Sequence, residues 1–101
     1  MIIKRWQAPL LPSRRQVYMM FKIEGLEPYE DILEPKQSVR VLRHPFDEVR
    51  IIVSGELKLD ISGNQLLLRA GDKILIPSNT RHTKIVEADE PCVSILSLIH
   101  I

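Results

Sequence analysis

From residue 26 onward the chain is divided into eight short runs rich in valine, isoleucine and leucine: residues 26–33, 38–44, 48–54, 56–61, 65–70, 73–77, 82–88 and 92–101. Proline, glycine, asparagine, aspartate or serine separates them, at spacings of about 8 to 12 residues. Many short, evenly spaced strands of this kind predict an all-β fold, an antiparallel sandwich or barrel. Turn chemistry supports the division. Ser54-Gly55 and Ser62-Gly63-Asn64 interrupt alternating runs with residues that tolerate positive φ, so 47–54, 56–61 and 65–69 read as a meander. Pro77 stops the strand after Gly71-Asp72, Asn79 suits a left-handed turn, and His82 opens the next strand.

The segment before residue 26 has a different period. Ser13-Arg14-Arg15-Gln16 fits a capping box, in which the serine hydroxyl accepts from the third helical N–H and the glutamine amide reaches back. Val17, Met20, Phe21 and Glu24 follow at helical spacing, and Gly25 is placed to close the helix in a left-handed conformation. One short N-terminal helix over about 14–24 is expected. Its aromatic residues Tyr18 and Phe21, with Trp6 before it, are expected to pack on the outside of the barrel.

A chain of 101 residues is expected to form one domain, an N-terminal extension over 1–35 and a barrel over 36–101. Composition is that of an ordinary globule, 45% hydrophobic and 27% charged with net charge +1, so neither nucleic acid nor a membrane is expected as a partner. Lys4, Arg5, Arg14, Arg15 and Lys22 make the first 22 residues basic, but five dispersed cations are a solvated face rather than a nucleic-acid arm. The single cysteine, Cys92, excludes an intramolecular disulfide, and its apolar surroundings mark it as a buried structural thiol. No run approaches the roughly 20 apolar residues of a membrane span, nor is there the apolar core of an export signal, so a cytoplasmic location is expected. There is no GxSxG elbow, P-loop, GxGxxG or CxxC.

The chemistry-bearing residues concentrate between His44 and His82. Two imidazoles and one carboxylate, His44, Glu48 and His82, are groups of the kind that bind first-row transition metals. The third histidine, His100, lies in the terminal run and reads as a surface or interface residue. His44, three residues, Glu48, six residues, Gly55, and later Gly71, five residues, Pro77, one residue, Asn79, two residues, His82, resemble the two motifs of the cupin superfamily. That resemblance spans about 39–86. It implies a small antiparallel double-stranded β-helix, the jelly-roll barrel, with a divalent metal such as Fe, Zn, Mn or Ni held inside it. The family's first motif usually carries another histidine where this chain has Leu42, which cuts the implied ligand set from four to three. Asn79 stands where glycine is common, and Val86 where the second motif ends in asparagine.

Alternation assigns further residues to the cavity. If His44 points inward, period two carries Leu42 and Arg40 inward; if Glu48 does, Arg50 and Ile52 follow. Arg50, Arg40 and Ile52 are therefore the expected ligand-binding residues, with Arg50 either anchoring a small anionic ligand or neutralising Glu48. Asp47 and Arg81, beside inward residues, should face outward. The apolar runs at 1–6 and 92–101 would leave sheet edges that need cover, and a symmetric homodimer is expected to supply it. Two function classes stay open: a metal-dependent enzyme at His44, Glu48 and His82, and a non-catalytic, metal-free module that binds a small molecule.

Overall fold

The computed structural model describes residues 1–42 and 44–100, without the side chain of His100, so the expectation for that histidine lies outside the described residues. Among them are nine strands and one helix: β1 (Ile2–Lys4), α1 (Arg14–Ile23), β2 (Tyr29–Leu33), β3 (Ser38–Val41), β4 (Phe46–Ser54), β5 (Glu56–Ile61), β6 (Asn64–Arg69), β7 (Lys73–Ile76), β8 (His82–Ile85) and β9 (Cys92–His100). They form two antiparallel sheets, ordered β1-β7-β4-β9-β2 and β3-β8-β5-β6. The expected all-β architecture with one short helix is what the chain adopts.

Helix α1 starts where the capping box puts it. Gln16 N–H donates to the Ser13 hydroxyl, and Ser13 N–H donates to the Gln16 side-chain oxygen. It ends one residue short of the expected boundary, with Gly25 at φ 77°. Its inner face, Val17 and Phe21, is buried against Val49, Ile51 and Ile95 on the outer surface of the five-stranded sheet. Burial of such side chains contributes about 1.5–3 kcal/mol each.

That helix explains the unusual burial of β4, in which Glu48 through Ile52 are all inaccessible. Val49 and Ile51 face α1, while the alternate residues Glu48, Arg50 and Ile52 face the space between the sheets. Deeper in that space Ile52, Leu57, Leu59, Leu68, Ile74, Ile76 and Val86 form an apolar core.

Two expectations need correction. The runs 47–54, 56–61 and 65–69 are not one meander, because β4 pairs with β7 and β9 while β5 pairs with β6 and β8. Only β5 and β6 form a hairpin. At Ser54-Gly55 the chain crosses from one sheet to the other, and Gly55, at φ 78°, lies so close to the Pro91 carbonyl that a side chain could not be accommodated. Next, β2, which precedes residue 36, is a strand of the five-stranded sheet, paired with β9. Finally, the terminal run 92–101 is not a sheet edge: β9 lies between β4 and β2, and the edges of that sheet are β1 and β2.

The basic N-terminal segment is tied down by ion pairs. Arg5 bonds Asp72 at 2.8 Å, and Asp72 also accepts from Trp6 N–H and Arg69 N–H. Burial alone would raise the Asp72 pKa, but these donors hold it below the usual carboxylate range. Trp6 packs directly over Gly71, which is at φ 92°. Arg14 pairs with Glu30 and Lys22 with Glu27. No helix among the described residues is long and apolar enough to cross a membrane.

Candidate functional site

The two motif segments meet because their backbones are latched together. Asn79, in the left-handed conformation expected of it at φ 60°, donates its N–H to the His44 carbonyl at 2.8 Å. Next to it, Ser78 N–H donates to the Asp47 carboxylate, so Asp47 points away from Glu48 and serves the latch. This brings the irregular segment carrying His44 beside the start of β8, which carries His82.

Each imidazole is then oriented by a carbonyl. His44 Nδ1 bonds Phe46 O at 2.5 Å and His82 Nδ1 bonds Thr80 O at 2.8 Å. A carbonyl can only accept, so each Nδ1 carries the proton and each Nε2 presents a lone pair. The His44 ring stacks on Phe46 at 4.9 Å and meets His82 edge-on at 5.7 Å. His44, Glu48 and His82 are buried, and their donor atoms lie within 4.8 Å of one another, a cluster that could hold a metal ion.

Two cations complete the group. Lys84 Nζ lies 3.1 Å from His82 Nε2 and 3.3 Å from Glu48 Oε1. Arg50 donates from Nε to Glu48 Oε2 at 2.9 Å and from Nη1 to Asp31 at 3.0 Å and to the Ser94 hydroxyl. Both Glu48 oxygens are thus taken by protein cations. Burial alone would raise the Glu48 pKa, but Arg50 and Lys84 hold it below the usual carboxylate range. Burial pushes Lys84 down, partly opposed by Glu48, and burial likewise lowers His82.

For a metal, the donor set passes one test and fails another. His44 Nε2 is buried and has no hydrogen-bond partner among the described residues, as an unfilled coordination position would leave it. His82 Nε2 and Glu48, however, already spend their lone pairs on the Lys84 ammonium and the Arg50 guanidinium. A divalent ion added beside those two cations would face only the carboxylates of Glu48 and Asp31. As arranged, the positions a metal would use on His82 and Glu48 face the Lys84 and Arg50 cations.

The group opens to solvent through a cleft of about 280 Å³. Tyr29, Val41, Phe46 and Leu96 wall it, and His44, Glu48 and Arg50 form its floor. Tyr29, near the floor, has its pKa raised by burial and by the Glu48 charge.

Of the other residues expected to point inward, Arg50 and Ile52 do, while Arg40 and Leu42 do not. Arg40 is exposed: along β3 it is Val39 and Val41 that are partly buried, while Ser38 and Arg40 face outward. On β3 it is Val41, opposite His82, that faces inward, while Arg40 and Leu42 line a second cleft of about 460 Å³ with Asp60, Arg81, Thr83 and His82. Leu42 is 59% exposed, so the position of the absent fourth histidine does not face the cluster. Ile52 does face inward, but one strand period deeper than Arg50 it belongs to the apolar core. Arg81 is exposed as expected. Cys92 is buried and its thiol pKa is pushed up to about 11 by burial, which leaves it unreactive. Lys84 and Tyr29 were not among the expected site residues. Alternation from His82 leads to Lys84, two residues along β8 on the same face; for Tyr29 the strand's own pattern gives no comparable signal.

Comparison with known proteins agrees with this geometry. The model of the cupin domain matches residues 29–98. No curated protein matches the sequence. Among solved structures, the cupin domain of an XRE-family transcriptional regulator from Enterobacter cloacae is 22% identical with a TM-score of 0.66, the match covering 99% of this chain and 95% of that one. The plu4264 protein from Photorhabdus luminescens is 21% identical with a TM-score of 0.66, over 71% of this chain and 60% of that chain. The polyketide cyclase RemF from Streptomyces resistomycificus is 18% identical with a TM-score of 0.65, over 71% of this chain and 52% of its own. This chain therefore spans little more than half the length of the last two. With the family model matching most of the chain and the same barrel in these neighbours, the protein belongs to the cupin family.

Proposed function

We propose that this protein is a small-molecule-binding cupin module that works without a resident metal ion, taking its ligand in the cleft above His44, Glu48 and Arg50. The observation that carries this reading is the Lys84 ammonium, within hydrogen-bonding distance of both His82 Nε2 and Glu48 Oε1. With it, the charges of the group balance: buried Glu48 and the partly exposed Asp31 against Arg50 and Lys84. Because Arg50 is already committed to two carboxylates and a hydroxyl, the floor carries no surplus positive charge to attract an anion. A neutral, polar small molecule with an apolar or aromatic body suits the walls of Tyr29, Phe46 and Leu96.

The test is elemental analysis of the protein purified without chelator, with His44→Ala and His82→Ala controls, together with thermal-shift screening of neutral and anionic small molecules. Substoichiometric metal in every sample, with stabilisation by neutral compounds, is expected. Stoichiometric metal in the parent that disappears in the controls would defeat the reading.

One observation favours a second reading, in which His44, Glu48 and His82 hold a divalent ion: the buried, unpartnered His44 Nε2. A bound ion would supply Lewis-acid polarisation of a substrate oxygen or an activated water. The same analysis decides between the two. For assembly, we retain a symmetric homodimer, supported by the groove on the outer face of the five-stranded sheet, where Ile2, Leu26, Leu75 and Ile99 are flanked by Lys4, Lys73, Glu24 and Asp47. Light scattering that returns a monomer mass would remove it.

A further inference from the structure

We infer that Lys84 is the barrel's built-in cation, holding the place between Glu48 and His82 that a divalent ion would bridge, so that His44, Glu48 and His82 form a latent metal site which substitution of Lys84 exposes. The inference rests on the metal-free reading above and adds its cause. A metal would need the same lone pairs that Lys84 now uses, His82 Nε2 at 3.1 Å and a Glu48 oxygen at 3.3 Å. Lysine is suited to that place, because it shares a strand and a face with His82 and its stem spans the interior while its head stays within reach of both acceptors.

The donors are otherwise prepared. Both imidazoles are fixed through Nδ1 to backbone carbonyls, the arrangement that orients histidines around metals, and His44 Nε2 waits unpartnered in the same cluster. The absent fourth ligand does not account for the exclusion. Leu42 is 59% exposed whereas His44, Glu48 and His82 are buried, so a histidine there would not share their interior position. Charge supplies the remaining reason: buried Glu48 and the partly exposed Asp31 are matched by Arg50 and Lys84, and a further divalent cation would be unmatched while Lys84 is present.

The experiment compares wild type, Lys84→Met, Leu42→His and the double variant Lys84→Met/His44→Ala, each stripped with chelator and titrated with Zn²⁺ by calorimetry and with Co²⁺ by visible absorption. Lys84→Met should bind one equivalent with affinity raised by on the order of tenfold or more over wild type. The double variant should lose that gain, and Leu42→His should behave as wild type. The inference is overturned if Lys84→Met gains nothing, or if Leu42→His alone gains the metal. Should Lys84→Met be unfolded after stripping, recovery of its far-ultraviolet dichroism on adding Zn²⁺ counts as the gain, with Lys84→Gln titrated alongside; failure of Zn²⁺ to act on either variant overturns the inference. A metal-free wild type with an indifferent Lys84→Met removes this inference alone, whereas stoichiometric metal in the wild type removes the metal-free reading with it.

Discussion

The interior of this barrel has two ends built from the same strands. On β4, Glu48 and Arg50 lie at one end and Ile52 at the other; along β8, His82 and Lys84 give way at once to Val86. A single step of two residues, about 7 Å along a strand, separates a packed hydrocarbon core from a cluster of three buried charges, Glu48, Arg50 and Lys84. At the apolar end stability comes from area removed from water and is indifferent to pH and salt. The polar end gains its place only because every charge has a partner, since an unpaired buried ion costs several kcal/mol. The fold can thus lend its strands to a site without unfolding, provided the partners stay together.

Removing one partner should show the contrast most sharply. Glu48→Ala leaves Arg50 and Lys84 facing each other across the interior, and we expect a loss of about 3–5 kcal/mol in denaturant unfolding. Adding Lys84→Met to Glu48→Gln should recover part of the loss of each single variant, with a coupling of about 1–3 kcal/mol in the double-mutant cycle. If the single losses simply add, the two ends do not differ as described. At the apolar end, Leu59→Ala should cost about 2–5 kcal/mol through transfer and cavity effects, at the same magnitude at pH 5 and pH 8.

Acidification separates the ends in a different way. Glu48 titrates lower in the folded protein than its usual 4.5, so its stabilising contribution is present above that value and disappears as pH falls through its folded pKa. His82 is also lowered from 6.5; the unfolded chain takes up that proton first, and acidification below 6.5 favours unfolding. Both act in one direction. Stability measured from pH 7 downward should fall, and Glu48→Gln should flatten the lower part of the curve; a wild-type curve level from pH 7 to pH 4 would contradict this. The smallest effect belongs to neither end: Ser13→Ala removes the helix cap and should cost about 1 kcal/mol.

Local chemistry made much of this legible. The capping box and Gly25 delimit α1, Asn79 adopts the left-handed turn its side chain tolerates, and the short alternating runs match the strands. The three donors His44, Glu48 and His82 could be singled out by residue type and spacing. The errors share one cause. Alternation is reliable within a strand but does not carry beyond its ends, and β3, which ends at Val41, has Arg40 facing outward. It also says nothing of depth, which placed Ile52 in the core, nor of strand partners, which separated β4 from β5.

By itself the sequence determined the strand and helix segments and the set of groups able to act together, because those follow from side-chain type and near neighbours. Tertiary structure alone decided that Lys84 from β8 and Arg50 from β4 close on the same carboxylate. Which charges meet in a buried space depends on how two sheets stack, and no local propensity encodes that pairing.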